Sequence, residues 1–334
     1  MKKNMKRQFT RSTISRSALS TMIVGLFLAM GVSTIHASGY TLGDAANYVA
    51  IFQGGGGNTL NINNPSGLFA NTDTGNIGLA GTGHLSLSGP LVINGNIDFA
   101  GSVIDNPPYT GPAPGNGITV NGSIVGGQGN VQADMSNLNS LSTTLGAETG
   151  TSVALNSGTT INANTTGTLD GMGDKVFTVT SISAANGTLT INGDGSHNVV
   201  INISAAADAN LHFNKIVLTG GLTSDQVLFN LYDLNPLDNA NLSGGPTLDL
   251  NSNGGTLDGI FLDPDGQISL VSTILDGRIF GGDSHDEQLV SGGTLVMPES
   301  VPDGGFTLML LGLAFAGLVC VGHKFQVHPS PPSA

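Results

Sequence analysis

GTLTINGDG (187–195) and NVVINISA (198–205) stand almost back to back, and each alternates apolar with polar residues before a run of small ones. A period of two sends successive side chains to opposite faces, which marks a strand with one buried face, while NG and DG dipeptides mark tight turns. The same texture recurs in NTLNIN (58–63), HLSLSG (84–89), LVINGNIDFAG (91–101), ITVNGSIVGG (118–127), TTINAN (159–164) and KIVLTGG (215–221). Turn signals return about every 6–12 residues, too densely for long hairpins. Short strands with small residues at the corners fit the rungs of a parallel β-solenoid, in which each coil stacks on its neighbour. No repeat length is fixed, so the coils are expected to be irregular. A two-sheet sandwich is the alternative architecture.

One segment departs from this pattern. Val131, Met135, Leu138, Leu141 and Leu145 follow a helical spacing, with Asp134 near the start and Gly146 near the end. The spacing predicts one amphipathic helix over 131–145, packed against the solenoid. The fold class expected is therefore mostly β: a parallel β-helix with one flanking α-helix.

Composition narrows the function. The chain has 334 residues, with 50 Gly, no Trp, one Cys and a formal net charge of -13. One cysteine forms no internal disulfide and no Cys-rich zinc site. A negative chain with few aromatic residues lacks what a nucleic-acid groove needs. With 39% apolar residues it is not a disordered acidic tail either.

The two ends read as addresses. Lys2, Lys3, Lys6, Arg7, Arg11 and Arg16 precede the apolar run 18–30, and Ala37 is a small residue at a cleavage position. That is the layout of a secretory signal peptide, 1–37, whose partners are the secretion translocon and signal peptidase. Beyond Ala37 the only cations are Lys175, Lys215, Arg278 and Lys324, against all 23 acidic residues. The extracellular body is expected over 38–300. At the other end an apolar run, 306–322, is followed by His323 and Lys324 and reads as a transmembrane helix.

Val301, Pro302, Asp303, Gly304 and Gly305, then this apolar helix and a basic residue, resemble the PEP-CTERM class of sorting signals in its Val-Pro-Asp-Ser/Gly-Gly variant. The resemblance covers about 25 residues of the segment 301–334 and implies processing by an exosortase-type membrane enzyme, with anchoring at the cell envelope or release into the matrix. The usual arginine cluster is reduced to His323 and Lys324, and a ten-residue tail follows.

The body resembles a second family. DAANYVAIFQGGGGNTLNIN (44–63), GNIGLAGTGHLSLSGPLVINGNIDFAG (75–101), DQVLFNLYD (225–233), LDGIFLDPDGQISL (257–270) and LDGRIFGGDSHDEQLVSGGTLVMP (275–298) are similar, in order as well as composition, to the choice-of-anchor A and ice-binding-like β-helix group. The likeness implies a right-handed β-helix with a flanking helix, and a role as adhesin, matrix component or ice binder. It implies no catalytic residues.

Candidate chemistry is sparse. Asp263 with Asp265, and Asp283 with Asp286, sit in Gly- or Pro-containing turns and could each offer oxygens to a calcium ion. Neither pair belongs to an EF-hand loop or a GGxGxD repeat. The same carboxylates are the candidates for a polysaccharide lyase or hydrolase, a reading opposed by the single arginine of the mature chain, Arg278. GGGGN (54–58) lacks the Lys-Ser/Thr ending of a phosphate loop and reads as a sharp turn. His84, His197, His212 and His285 show no metal spacing, and Cys320 lies in the C-terminal apolar run. Thr159, Thr160, Thr165, Thr166, Thr168, Thr188 and Thr190 are the candidates for a hydroxyl-bearing ice face. The expected function is structural or adhesive, without a cofactor and with extracellular polysaccharide as a partner. Binding of ice, calcium or polysaccharide is the alternative.

Overall fold

The computed structural model describes residues 39–63, 75–104, 117–183, 186–204, 209–232, 247–264, 266–282, 287–290 and 293–298. The leader 1–37, the motif Val301–Gly305 and the expected span 306–322 lie outside them. Among the described residues no helix is long and apolar enough to cross a membrane. Residues 36–300 form one compact unit by their own contacts.

The alternating segments are strands, and they stack in parallel. Of the described strand pairs one alone is antiparallel, Thr168–Leu169 with Lys175–Ser183. Parallel pairing between segments so close in sequence requires coiling, which removes the sandwich. The longest sheet has twelve strands, and its main path does not follow chain order. It runs Thr168–Leu169, Lys175–Ser183, Val199–Ser204, Val227–Tyr232, Thr256–Asp263, Ile274–Gly281, then Tyr48–Phe52, Asn76–Leu79, Ile97–Phe99 and Ile124–Val125. The chain thus enters mid-sheet, builds four rungs outward, crosses back, and builds inward until Ile274–Gly281 meets Tyr48–Phe52. At that junction Ile279 lies opposite Ala50 and Phe280 opposite Ile51.

A single inward row passes through both halves: Phe177, Ile201, Phe229, Phe261, Ile279, Ala50, Ile77, Ile97. Phe229 and Phe261 stack with ring centroids 4.8 Å apart. Each phenylalanine and isoleucine of this row contributes about 1.5–3 kcal/mol through burial. The solenoid interior is therefore one core despite the break in chain order.

The crossing back is made by the helix Gly129–Gly146. Its 18 residues span about 27 Å, close to the six intervals of about 4.8 Å across the seven rungs it packs on. It lies on the outer face of the long sheet, between Val199–Ser204 and Ile97–Phe99. Val131, Met135, Leu138 and Leu145 are buried there against Val200, Leu228, Ile260 and Phe280, a second apolar core. Between Val199–Ser204 and Ile97–Phe99 both faces of the long sheet are consequently covered, and Tyr48–Phe52 is buried throughout.

The helix extends two residues before the expected 131 and one beyond 145. Asp134 does not cap it: the N-cap position is Gln128, with no side-chain cap. Asp134 sits on the inward stripe, 5% exposed, and burial first, then Asp44, raises its carboxyl. Gly146 is the last helical residue, and a Cβ there would run into the Tyr232 ring. GGGGN is a turn between rungs: Gly54 has φ +66, and a Cβ on it would press on the Gly83 backbone of the adjacent coil.

Candidate functional site

The helix covers one face of the coil and leaves another open. Six strands form that open face in the order Ala209–Leu211, Thr247–Asn251, Gln267–Val271, Glu287–Val290, Thr59–Asn63, His84–Ser88. Alternation does the positioning. Leu248, Leu250, Ile268, Leu270, Leu289, Leu60, Ile62, Leu85 and Leu87 are buried in the interior. The residues between them turn outward and, because the strands are parallel and in register, fall into rows.

The central row is Asp249, Ser269, Gln288, Asn61 and Ser86. Beside it lie Asn251, Val271, Val290, Asn63 and Ser88. With neighbouring strands about 4.8 Å apart, each row extends about 20 Å along the stack. All five groups of the central row accept hydrogen bonds, and Ser, Gln and Asn donate as well. At one edge the ring of His212 meets Asp249, Nε2 to Oδ2, at 2.7 Å. The result is a largely polar face that no helix among the described residues covers, backed by buried leucines and isoleucines.

Of the threonines expected to make an ice face, Thr160, Thr188 and Thr190 share the outward side of one sheet and the others do not join them. Thr160 lies opposite Thr190 in a separate three-stranded sheet, but the next residue in that row is Val217. Thr188 is on the same sheet, in register with Lys215. Thr166 turns back to donate to the Asn162 carbonyl at 2.7 Å, and Thr159 accepts from the Asn156 N–H at 3.1 Å. Thr165 follows the same turn, and Thr168 belongs to the antiparallel strand. Threonine serves strands and turns well without serving a ligand.

The acidic candidates divide likewise. Asp263 is 1% exposed at the end of Thr256–Asp263, in register with Gly281. Asp265, Asp283 and Asp286 lie outside the described residues, as does His285. Among the described residues no three His, Cys, Asp or Glu side chains group as a metal site. Arg278 is removed from any ligand surface. It is 4% exposed, paired with the Asp225 carboxylate, and donates to the Ala46 carbonyl at 3.0 Å. Burial lowers its pKa to about 10. Its work is to pin the segment 39–47 against the long sheet, where the Tyr40 hydroxyl also donates to the Asp225 carbonyl at 2.9 Å.

The central row escaped the sequence reading although most of its strands did not. Asn61 and Ser86 come from one arm of the chain and Asp249, Ser269 and Gln288 from the other. Only the meeting of the two arms, Glu287–Val290 with Thr59–Asn63 in this sheet and Ile274–Gly281 with Tyr48–Phe52 in the long one, makes them neighbours.

Residues 29–293 match the family described as "Putative Ice-binding-like adhesive domain". The chain belongs to this family. Among solved structures, the ice-binding protein of the Antarctic ascomycete Antarctomyces psychrotrophicus is similar at 16% identity, over 78% of this chain and 100% of that one, with a TM-score of 0.47. The ice-binding protein LeIBP from an Arctic yeast gives 16% identity, 80% and 96% coverage and a TM-score of 0.47. That of an Antarctic bacterium of the Flavobacteriaceae gives 17%, 79%, 48% and 0.46. Among curated proteins nothing matches. As in the family's description, the domain is an adhesive, ice-binding-like one.

Proposed function

We propose that this chain is an extracellular adhesive domain that binds ice through its open six-stranded face. The observation that carries the reading is the family match over 29–293, joined to a six-stranded face that the helix leaves free. An ice surface is an extended lattice of donors and acceptors, so it is held by a rigid plane whose own donors and acceptors repeat. Rows at about 4.8 Å supply such a repeat. The coil is right-handed, as crossovers between parallel strands of one sheet nearly always are. The leader 1–37 directs export, and an exosortase-type enzyme acts at Val301–Gly305, so the domain works at the envelope or in the matrix. It is not an enzyme.

Extracellular polysaccharide is the second reading. The central row mixes short Ser269 and Ser86 with longer Gln288 and Asn61 and an acidic Asp249, a relief that suits sugar hydroxyls. Thermal hysteresis and ice-affinity retention of residues 38–300 test the first reading. Asn61→Tyr, placed mid-row, is expected to cut retention at least tenfold with the melting temperature unchanged. Full retention in that variant removes the assignment of the face, and no retention by the unmodified fragment turns the reading to polysaccharide.

A further inference from the structure

Among the described residues, the non-glycine ones with a left-handed backbone are Asn186 (φ +52), Asn253 (φ +52) and Ser272 (φ +49). All three lie at one corner of the coil. Asn186 precedes Thr188–Asn192, Asn253 joins Thr247–Asn251 to Thr256–Asp263, and Ser272 joins Gln267–Val271 to Ile274–Gly281. Asn214 leads into Lys215–Thr219 at the same corner. Successive coils touch there. Asn214 Nδ2 donates to the Asn186 carbonyl at 2.7 Å, and Asn253 Nδ2 donates to Asn186 Oδ1 at 3.3 Å. The Gly254 N–H donates to the Ser272 carbonyl at 2.6 Å. Asparagine suits such corners, because its short polar side chain tolerates the left-handed region better than most.

Asn186, Asn214, Ser252, Asn253, Gly254 and Gly255 line an open depression of about 400 Å³ at this corner. Ligand sites span about 300–1,000 Å³. The floor is fixed from beneath. Ser252 is 1% exposed; its N–H donates to Thr273 Oγ1 at 2.9 Å and its hydroxyl to the Gly255 carbonyl at 2.6 Å. A Cβ on Gly255 would overlap the Asn214 carbonyl, whereas one on Gly254 would meet open space. The coils therefore close on each other at the first glycine and leave room over the second. All three asparagines are exposed. Each amide carries two N–H donors and a carbonyl acceptor. The bonds that fix the corner take one N–H of Asn214, one of Asn253 and one lone pair of the Asn186 side chain.

None of the lining residues ionises and none has an apolar side chain, so the ligand that fits is neutral and rich in hydroxyls. Adjacent hydroxyls of a sugar ring present a donor and an acceptor side by side, and a planar amide meets them with its own pair. A peptide would find no apolar wall among these residues for its side chains. We propose that this corner is a binding site for a neutral saccharide, held by the amides of Asn186, Asn214 and Asn253. The site is distinct from the open six-stranded face and does not rest on the ice reading. It borders that face, since the Asn253 N–H donates to Asn251 Oδ1 at 3.2 Å.

The matched variant is Asn186→Gly together with Asn253→Gly. Glycine adopts this φ without strain, so two amides leave while the backbone keeps its turns. Affinity electrophoresis of residues 38–300, in gels cast with laminarin, dextran or hydroxyethyl cellulose, reads binding as retardation. At least one of the three is expected to retard the unmodified fragment. The double variant should bind that polysaccharide roughly tenfold or more weakly. Its melting temperature should stay within about 3 °C. If it does not fold, Asn253→Asp carries the same expectation, since Asp also tolerates this φ and replaces two donors with a charge. No retardation in any of the three gels overturns the proposal, as does undiminished retardation of the variants or retardation by alginate alone. So does loss of retardation in Asn61→Tyr, which would move the sugar to the six-stranded face. Ice-affinity retention keeps the two readings apart. In the unmodified fragment, ice retention without retardation sinks the corner site alone, and retardation without ice retention sinks the ice reading alone.

Discussion

Asn230 shows how little a polar residue in an alternating strand says about exposure. In VLFNLY it occupies the place where a solvent-facing side chain is expected, yet it is fully buried beneath the helix. Its Oδ1 accepts the Ser142 hydroxyl at 2.6 Å, and its Nδ2 donates to the Ser142 carbonyl at 3.0 Å and to Asn202 Oδ1 at 2.9 Å. Asn202 in turn donates to the Leu145 carbonyl at 2.6 Å. The last four carbonyls of a helix have no partner within it, and here the Asn202 amide serves one of them, that of Leu145. Asn230→Leu keeps the volume and removes every one of these bonds of its own, leaving Asn202 and Ser142 short of partners in a dry site. The expected cost is about 3 kcal/mol, since each buried group left unsatisfied costs about 1–3 kcal/mol. Urea unfolding measures it, and a loss below about 1 kcal/mol would mean that water or a shift of the helix replaces the network.

Among the elements, Thr256–Asp263 and Ile274–Gly281 are the pair whose sequence repeats most openly, LDGIFLD against LDGRIFG. Stacking in register puts Asp258 opposite Asp276, and like charges on adjacent rungs repel. Burial first, then Asp276, pushes Asp258 up to about 6, with Lys215 and the Leu218 N–H opposing. Its unfolded pKa is near 4. Between these values the folded state binds more protons than the unfolded one, so this contribution is full below about pH 4 and is lost as pH rises through about 6. Asp258→Asn should remove that part of the decline. The measurement is the difference between the melting-temperature profiles of the two proteins from pH 4 to 7. Parallel profiles would show that Lys215 already neutralises the pair.

For the whole molecule, what the sequence discloses and what it hides have one cause. Strand and helix periodicities are local, so TLTIN, VVINIS and the stripe from Val131 to Leu145 could be read directly. Stacking order is not local, because every rung offers a similar apolar edge to the next. Nothing in YVAIF (48–52) says that its neighbour is more than two hundred residues away, nor that both its faces are buried. The polar row of the open face is hidden for the same reason, and the threonines of 159–164 and 187–192 mark a different, three-stranded sheet. The order of stacking also has a mechanical consequence. In a linear solenoid each rung contacts only its neighbours, so losing the last one subtracts roughly one rung of stability. Here the last rungs join the two halves. Ending the chain at residue 272 removes Thr294–Val296, Ile274–Gly281, which lies between Thr256–Asp263 and Tyr48–Phe52, and Glu287–Val290, which lies between Gln267–Val271 and Thr59–Asn63. Two sheet edges then open in the middle of the core, and such edges recruit other chains. Residues 38–300 should unfold in urea in a single transition, coincident by circular dichroism and fluorescence. Residues 38–272 should instead elute as aggregates or lose that single transition. One cooperative transition, with a slope reduced only in proportion to the residues removed, would mean that the two halves do not share a core.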